Sequence, residues 1–192
     1  ILADATMSET DEKAIWPHYE VFYIHSMLFN TESAIRSIIQ INAILQLVSE
    51  SNVEEDPVSA IPVPNLLGEL QNVVMHAAAL SRYFWPARSA HGWRARQLRQ
   101  VFRLSDESSL RSRDLRNAME HFDEQLDRYL ENGLVGHILP EYVGPFEEPN
   151  TIPVHLFRAY YIDTGIFEML GKRYEIGPIV QALIQIHEQL KS

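Results

Sequence analysis

Apolar residues return every three or four positions along several stretches of this chain, and that pattern predicts a mainly helical protein. Phe22, Tyr23, Met27, Ala34, Ile38, Ile41, Leu45 and Val48 keep the spacing through residues 17–49, with Pro17 suited to a first turn. Pro57, Pro62 and Pro64, together with four acids, mark residues 50–64 as an acidic loop. Asn65 can cap a second helix that Trp85-Pro86 ends after Phe84. A third helix is expected over 91–104 and a fourth, longer one over 108–131, with Ser105-Asp106-Glu107 offering capping oxygens and Asn132-Gly133 stopping it. Residues 132–151 carry three glycines and three prolines and read as an irregular connection. Residues 152–162 and 166–170 read as two strands joined through Asp163-Thr164-Gly165, and Pro178 opens a terminal helix to Leu190. The expected fold is therefore mainly α, four or five helices with a small β-hairpin near the C-terminus. Residues 17–192 are expected to form one domain behind an N-terminal tail of residues 1–16, with the six residues before Met7 expected to be either a remnant of expression or an upstream extension.

The fourth helix holds the chain's most specific chemistry. Leu115, Ala118, Met119, Phe122, Leu126, Tyr129 and Leu130 make one apolar stripe on it. From the centre of that stripe Arg116 lies about 100° to one side and His121 about 120° to the other, so the pattern buries neither. An arginine and a histidine five residues apart, with Asn117 directly after the arginine, are side chains that can cut RNA without a metal. In transesterification the ribose 2′-hydroxyl attacks the adjacent phosphate. His121 would move a proton, Arg116 would stabilise charge on the phosphoryl oxygens, and Asn117 would orient one or both. On a straight helix Arg116 and His121 point about 140° apart and are separated by about 7.5 Å along the axis, so a compact site is expected to need a second copy. Glu120, four residues after Arg116, is placed to pair with it, and such a pair favours binding over cutting.

The order Arg116, Asn117, three residues, His121 resembles the signature of the HEPN superfamily, helical-bundle proteins from higher eukaryotes and prokaryotes. The runs LRNAMEHFDEQLD (115–127) and HAAALSRYFWP (76–86) also resemble bacterial HEPN-like proteins of unassigned function. The resemblance implies an HEPN-type bundle that dimerises so that two signature helices face each other, here through the helix carrying residues 115–130. It implies a metal-independent endoribonuclease, toxin or defence associated and with a protein inhibitor as partner. The alternative it leaves open is a non-catalytic module of the same family that binds RNA, a nucleotide or a protein.

Charge adds a second candidate surface. Residues 82–116 hold nine arginines against three acids, whereas the rest of the chain holds 7 basic and 23 acidic residues, within an overall charge of −10. Arginine binds phosphate oxygens through a planar fork, which makes Arg94, Arg96, Arg99, Arg103 and Arg113 candidate RNA contacts. The plainer alternative is a solvated helix face that answers the acids elsewhere. The negative balance disfavours tight nonspecific binding to polyanions.

Other chemistry has less support. There is no cysteine, so disulfides and thiolate metal sites are excluded. Di-iron helices use Glu-x-x-His, which is absent although His121, Asp123 and Glu124 lie close together, and no metal or cofactor is expected. The Tyr83-Phe84-Trp85 run can stack on a base or close an apolar core, and His76 suits a hydrogen-bonded interior position. Polar residues interrupt the apolar segment 19–49, so no membrane span is expected, and a cytoplasmic location fits the composition.

Overall fold

The computed structural model describes residues 14–50, 61–117, 122–131, 133–146, 148 and 152–192. Within them the chain is mainly helical. The helices are α1 (Pro17–Glu50), α2 (Val63–Phe84), α3 (Gly92–Val101), α4 (Arg113–Asn117), α5 (Phe122–Glu131) and α6 (Ile176–Lys191), and the strands are β1 (His137–Gly144), β2 (Val154–Tyr161), β3 (Ile166–Met169) and β4 (Lys172–Glu175).

Helix α2 is the centre of the core. Its sequence carries a polar stripe of Asn65, Glu69, Asn72 and His76 on an otherwise mostly apolar surface, and Leu66, Leu67, Leu70, Val73, Val74, Ala77, Ala78, Leu80 and Phe84 are fully buried. So wide an apolar face has to be covered, and α1, α3, α4, α6 and the first two strands pack against this helix. Each large side chain so buried contributes about 1.5–3 kcal/mol relative to exposure. The helix begins at Val63, three residues earlier than a cap at Asn65 suggests. Pro62 occupies the N-cap position, Pro64 sits in the first turn, and Asn65 donates its own backbone N–H to the Pro62 carbonyl rather than capping.

Helix α1 uses a different chemistry. Its inner face is small and polar as well as apolar, with Asn30, Thr31, Ser33 and Ser37 buried beside Met27, Ala34, Ile38 and Ile41. Ser26 and Tyr83 share a short hydrogen bond, Asn30 meets His76 at 3.2 Å, and Thr31 meets His187 at 3.0 Å. These contacts stitch α1 to both α2 and α6. Phe22, expected on the buried stripe, is 71% exposed, and Trp16, Tyr19 and Phe29 are also largely exposed.

The expected helix over 108–131 is divided. A 3-10 turn at Ser109–Arg111 comes first, then α4 and α5, with residues 118–121 outside the described residues. The caps are Ser108, whose hydroxyl accepts from the Leu110 N–H, and Ser112, which accepts from Leu115 at 3.3 Å. Ser105 instead accepts from Glu107 within a turn.

The expected hairpin is part of a four-stranded sheet of order β1-β2-β3-β4. Strands β2 and β3 pair antiparallel around the turn before Ile166, as the sequence suggests, and β4 extends the sheet antiparallel to β3. Strand β1, within residues read as an irregular connection, pairs parallel to β2 from His137↔Val154 to Gly144↔Tyr161. Val143, Ala159, Phe167, Met169 and Tyr174 are buried.

Candidate functional site

Arg116 is the fourth residue of α4 and Asn117 its last. Asn117 is half-buried, and its main-chain oxygen accepts a hydrogen bond at 3.0 Å from Nε2 of Gln125 on α5. The Arg116 side chain, Glu120 and His121 lie outside the described residues. On the apolar side of α5, Leu126 and Tyr129 are half-buried and Leu130 is 47% exposed. Tyr129 reaches the sheet, its hydroxyl 3.3 Å from Nδ1 of His155.

The five arginines proposed for RNA contact fall into two groups. Arg94 and Arg99 serve the C-terminus of α2, where helical carbonyls lack partners and the helix dipole is negative. Arg94 donates through Nη2 to the Arg82 carbonyl at 3.1 Å, and Arg99 donates through Nη1 to the carbonyl of Phe84. The Arg94 guanidinium also lies 5.7 Å from the ring centroids of both Tyr23 and Tyr83, and that of Arg99 lies 5.8 Å from Trp85. Arg96, Arg103 and Arg113 are exposed. Arg103 adopts a left-handed φ of 50° just past α3 and lines a groove that also contains Glu107 and Glu175, a balance of charge poorly suited to phosphate.

The aromatic run ending α2 divides similarly. Phe84 and Trp85 are buried in the core, whereas Tyr83 is half-buried and holds Ser26 and Arg94. His76 is a half-buried histidine with a partner, and its burial first, then the charge of Arg36, hold its pKa below the usual histidine value.

Sequence reasoning missed one feature outright. A cavity of about 280 Å³ opens between α1, α2 and α3, lined by Asn30, Ala79, Arg82, Tyr83 and Arg94. Arg82 and Arg94 are twelve residues apart and on different helices, so no local spacing unites them. The only available signal was Asn30, a polar residue at a position where α1 turns its apolar pattern inward.

A larger apolar cavity of about 480 Å³ lies where the start of α1 meets α3 and the end of α6, with Ile15, Tyr23, Met27, Leu98, Phe102 and Leu190 among its walls. Among the described residues no three His, Asp or Glu side chains gather as metal ligands, and no helix is long and apolar enough to cross a membrane. No family model matches the chain, and no curated protein or solved structure matches it.

Proposed function

We propose that this chain is an HEPN-like, metal-independent endoribonuclease acting as a homodimer, with Arg116, Asn117 and His121 as its reacting set. The observation that carries the reading is the order Arg116-Asn117-x3-His121, which begins in the last two residues of α4. The 2′-hydroxyl of the RNA attacks the neighbouring phosphorus and the 5′-oxygen leaves, which gives a 2′,3′-cyclic phosphate and a free 5′-hydroxyl. His121 carries one of the two protons that must move, and the Arg116 guanidinium binds the phosphoryl oxygens as their charge grows. The exposed Arg96 and Arg113 fit contacts to flanking phosphates better than Arg103, which stands beside Glu107 and Glu175, and loss of Arg96 or Arg113 would weaken binding without stopping chemistry.

Two features support the dimer. The apolar edge of α5 is only partly covered, with Leu130 exposed, and the resemblance to HEPN proteins implies pairing through residues 115–130. A cytoplasmic toxin or defence role, restrained by a protein inhibitor, belongs to the same proposal and rests on the resemblance alone.

The test is purified protein on a mixed RNA pool in excess chelator. Cutting that yields cyclic phosphate ends and disappears in His121→Ala and Arg116→Ala, with the helical circular dichroism intact, is the expected result. Cutting that survives His121→Ala overturns the mechanism. RNA that is bound but never cut moves the chain to the non-catalytic, binding form of the family.

A further inference from the structure

One face of the first three turns of α1 looks onto a cavity. Glu20, Tyr23, Ile24 and Met27 recur at the spacing of a single helical face, and all four line the space of about 480 Å³ that α3 and the end of α6 close from the other side. That volume suits one small organic molecule, since such sites run from ~300 to ~1,000 Å³ and are mostly apolar with few polar groups. Burial grades the walls. Met27, Leu98 and Phe102 are buried and make the floor, whereas Ile24 at 39% and Val101 at 71% exposure stand at the mouth. The charge at the mouth has one sign. Glu20 is exposed there, and among the described residues no lysine, arginine or histidine lines the cavity. Arg94, whose guanidinium is 5.7 Å from the Tyr23 ring centroid, lines the neighbouring cavity instead. Gln97 and Gln100 add neutral amides, and Gln97 accepts from the Ile15 N–H at 3.3 Å.

From this arrangement we infer that the cavity binds an amphipathic primary amine, its hydrocarbon part against Met27, Leu98 and Phe102 and its ammonium group at Glu20. The site is separate from the Arg116–His121 pair and independent of whether that pair cuts RNA. Length follows from α1 itself. Glu20 and Met27 are seven positions apart, about 10 Å along the axis, and an extended chain of about eight carbons covers that distance with bonds of about 1.5 Å. The sign of the head group follows from the wall. A carboxylate there would face Glu20 without a cation, whereas an ammonium would pair with it, and the overall charge of −10 draws cations to the surface. Met27 is unbranched and can settle against a hydrocarbon chain. Each methylene buried strengthens binding about fourfold, and a partly screened ion pair adds about threefold to fivefold. Apolar fit therefore sets the strength, and Glu20 sets which head group is preferred.

Calorimetric titration of the full chain with octylamine, hexylamine, decylamine, octanol and octanoate, each below its micelle concentration, tests the site. Octylamine should bind saturably at one site, and hexylamine about fifteenfold more weakly for its two missing methylenes. Decylamine should gain less than the same factor, because its extra carbons outrun the cavity. Octanol should bind about threefold to fivefold more weakly than the amine, and octanoate more weakly again. In Glu20→Gln the preference for the amine over the alcohol should vanish. Ile24→Trp, a change at the exposed mouth, should fill the cavity and weaken every ligand about tenfold or more with the unfolding midpoint unmoved. Should that variant fail to fold, Val101→Trp on the opposite lip carries the result. His121→Ala should bind as the parent does, which keeps this outcome apart from the nuclease test. The inference is overturned if octylamine does not bind saturably, if octanoate binds as tightly, or if Glu20→Gln keeps the preference for the amine. Octylamine binding unmoved by the filling variants also overturns it, and moves the ligand to the exposed aromatic residues of α1.

Discussion

Gln125 of α5 donates its side-chain amide to the main-chain oxygen of Asn117, the last residue of α4, at 3.0 Å. In a straight helix a separation of eight positions would rise about 12 Å, beyond the reach of a glutamine side chain. Thus α4 and α5 do not share one straight axis. Gln125→Ala should remove about 1 kcal/mol of local stability, seen as roughly fivefold faster amide exchange in α5 with the α2 core unchanged. Equal exchange in both proteins would mean the bond holds nothing.

Two apolar surfaces compete as the place where a second copy packs. One is the α5 edge around Leu130; the other is the outer side of α1, where Trp16, Tyr19, Phe22 and Phe29 are exposed. The proposed dimer uses the first. Leu130→Glu should then convert a dimer to a monomer by light scattering, because burying an unpaired charge costs more than a marginal interface supplies, while Phe22→Glu leaves it dimeric. The reverse result moves the interface to α1.

Across the parallel pair β1–β2, Glu141 stands in register with Arg158, and the two form an ion pair while Arg158 also donates to Gln71 of α2 at 3.0 Å. Their side chains are only 26% and 17% exposed, so the pair is poorly screened and leaving one partner alone is costly. Arg158→Met should lower unfolding stability by about 2–3 kcal/mol in urea, and Glu141→Gln by less because a neutral acceptor remains. A midpoint unmoved by Arg158→Met would show that the sheet holds to α2 by apolar contact alone.

Acid should weaken the contacts of α1 with α2 and α6. Burial and Arg36 lower the His76 pKa, and burial and Lys191 lower that of His187, so the folded chain favours both rings neutral. The unfolded chain takes up these protons first. Stability is therefore intact above an unfolded pKa of about 6.5 and falls as pH drops from there through the folded values. The His76→Gln variant should show a shallower decline between neutral pH and mild acid. An unchanged slope would exclude His76 as a source. At the alkaline end Tyr161 and Tyr174 are pushed up to about 12, each chiefly by burial, and stability should fall as pH rises past about 10.

Helical periodicity made α1, α2, α3 and α6 legible, because each buries residues at the spacing that the sequence displays. The turn before Ile166 was equally plain, with Gly165 at φ 67° closing it. Strand β1 was hidden by Pro140 and Pro145 and by its parallel partner, since parallel pairing leaves no hairpin turn to read. Pro140 has no bridge opposite it; the register passes from Leu139↔Leu156 to Glu141↔Arg158. Strand β4 was missed for a different reason. Its turn is Leu170-Gly171, both with positive φ (48° and 73°), and leucine is a rare choice where Asn or Asp is usual. Leu170 is buried at 8% exposure, so core packing offsets a backbone that local preference disfavours. At the candidate site, the motif was visible as letters, but the extended Ser112 that starts α4 five residues after position 108 was not, because the apolar stripe gives no sign of it. The Arg82–Arg94 cavity depends on two helices crossing and could not be read from either.

Pro140 also sets a limit on what this sheet can join. Among the described residues nothing pairs with the outer side of β1, where Ile138 and Leu139 are exposed and would otherwise template the addition of a strand from another molecule. A ring in place of an N–H in the middle of an eight-residue strand leaves only short uninterrupted runs on either side. Replacing it with a β-branched residue would restore an amide there and turn a guarded margin into a seed for aggregation.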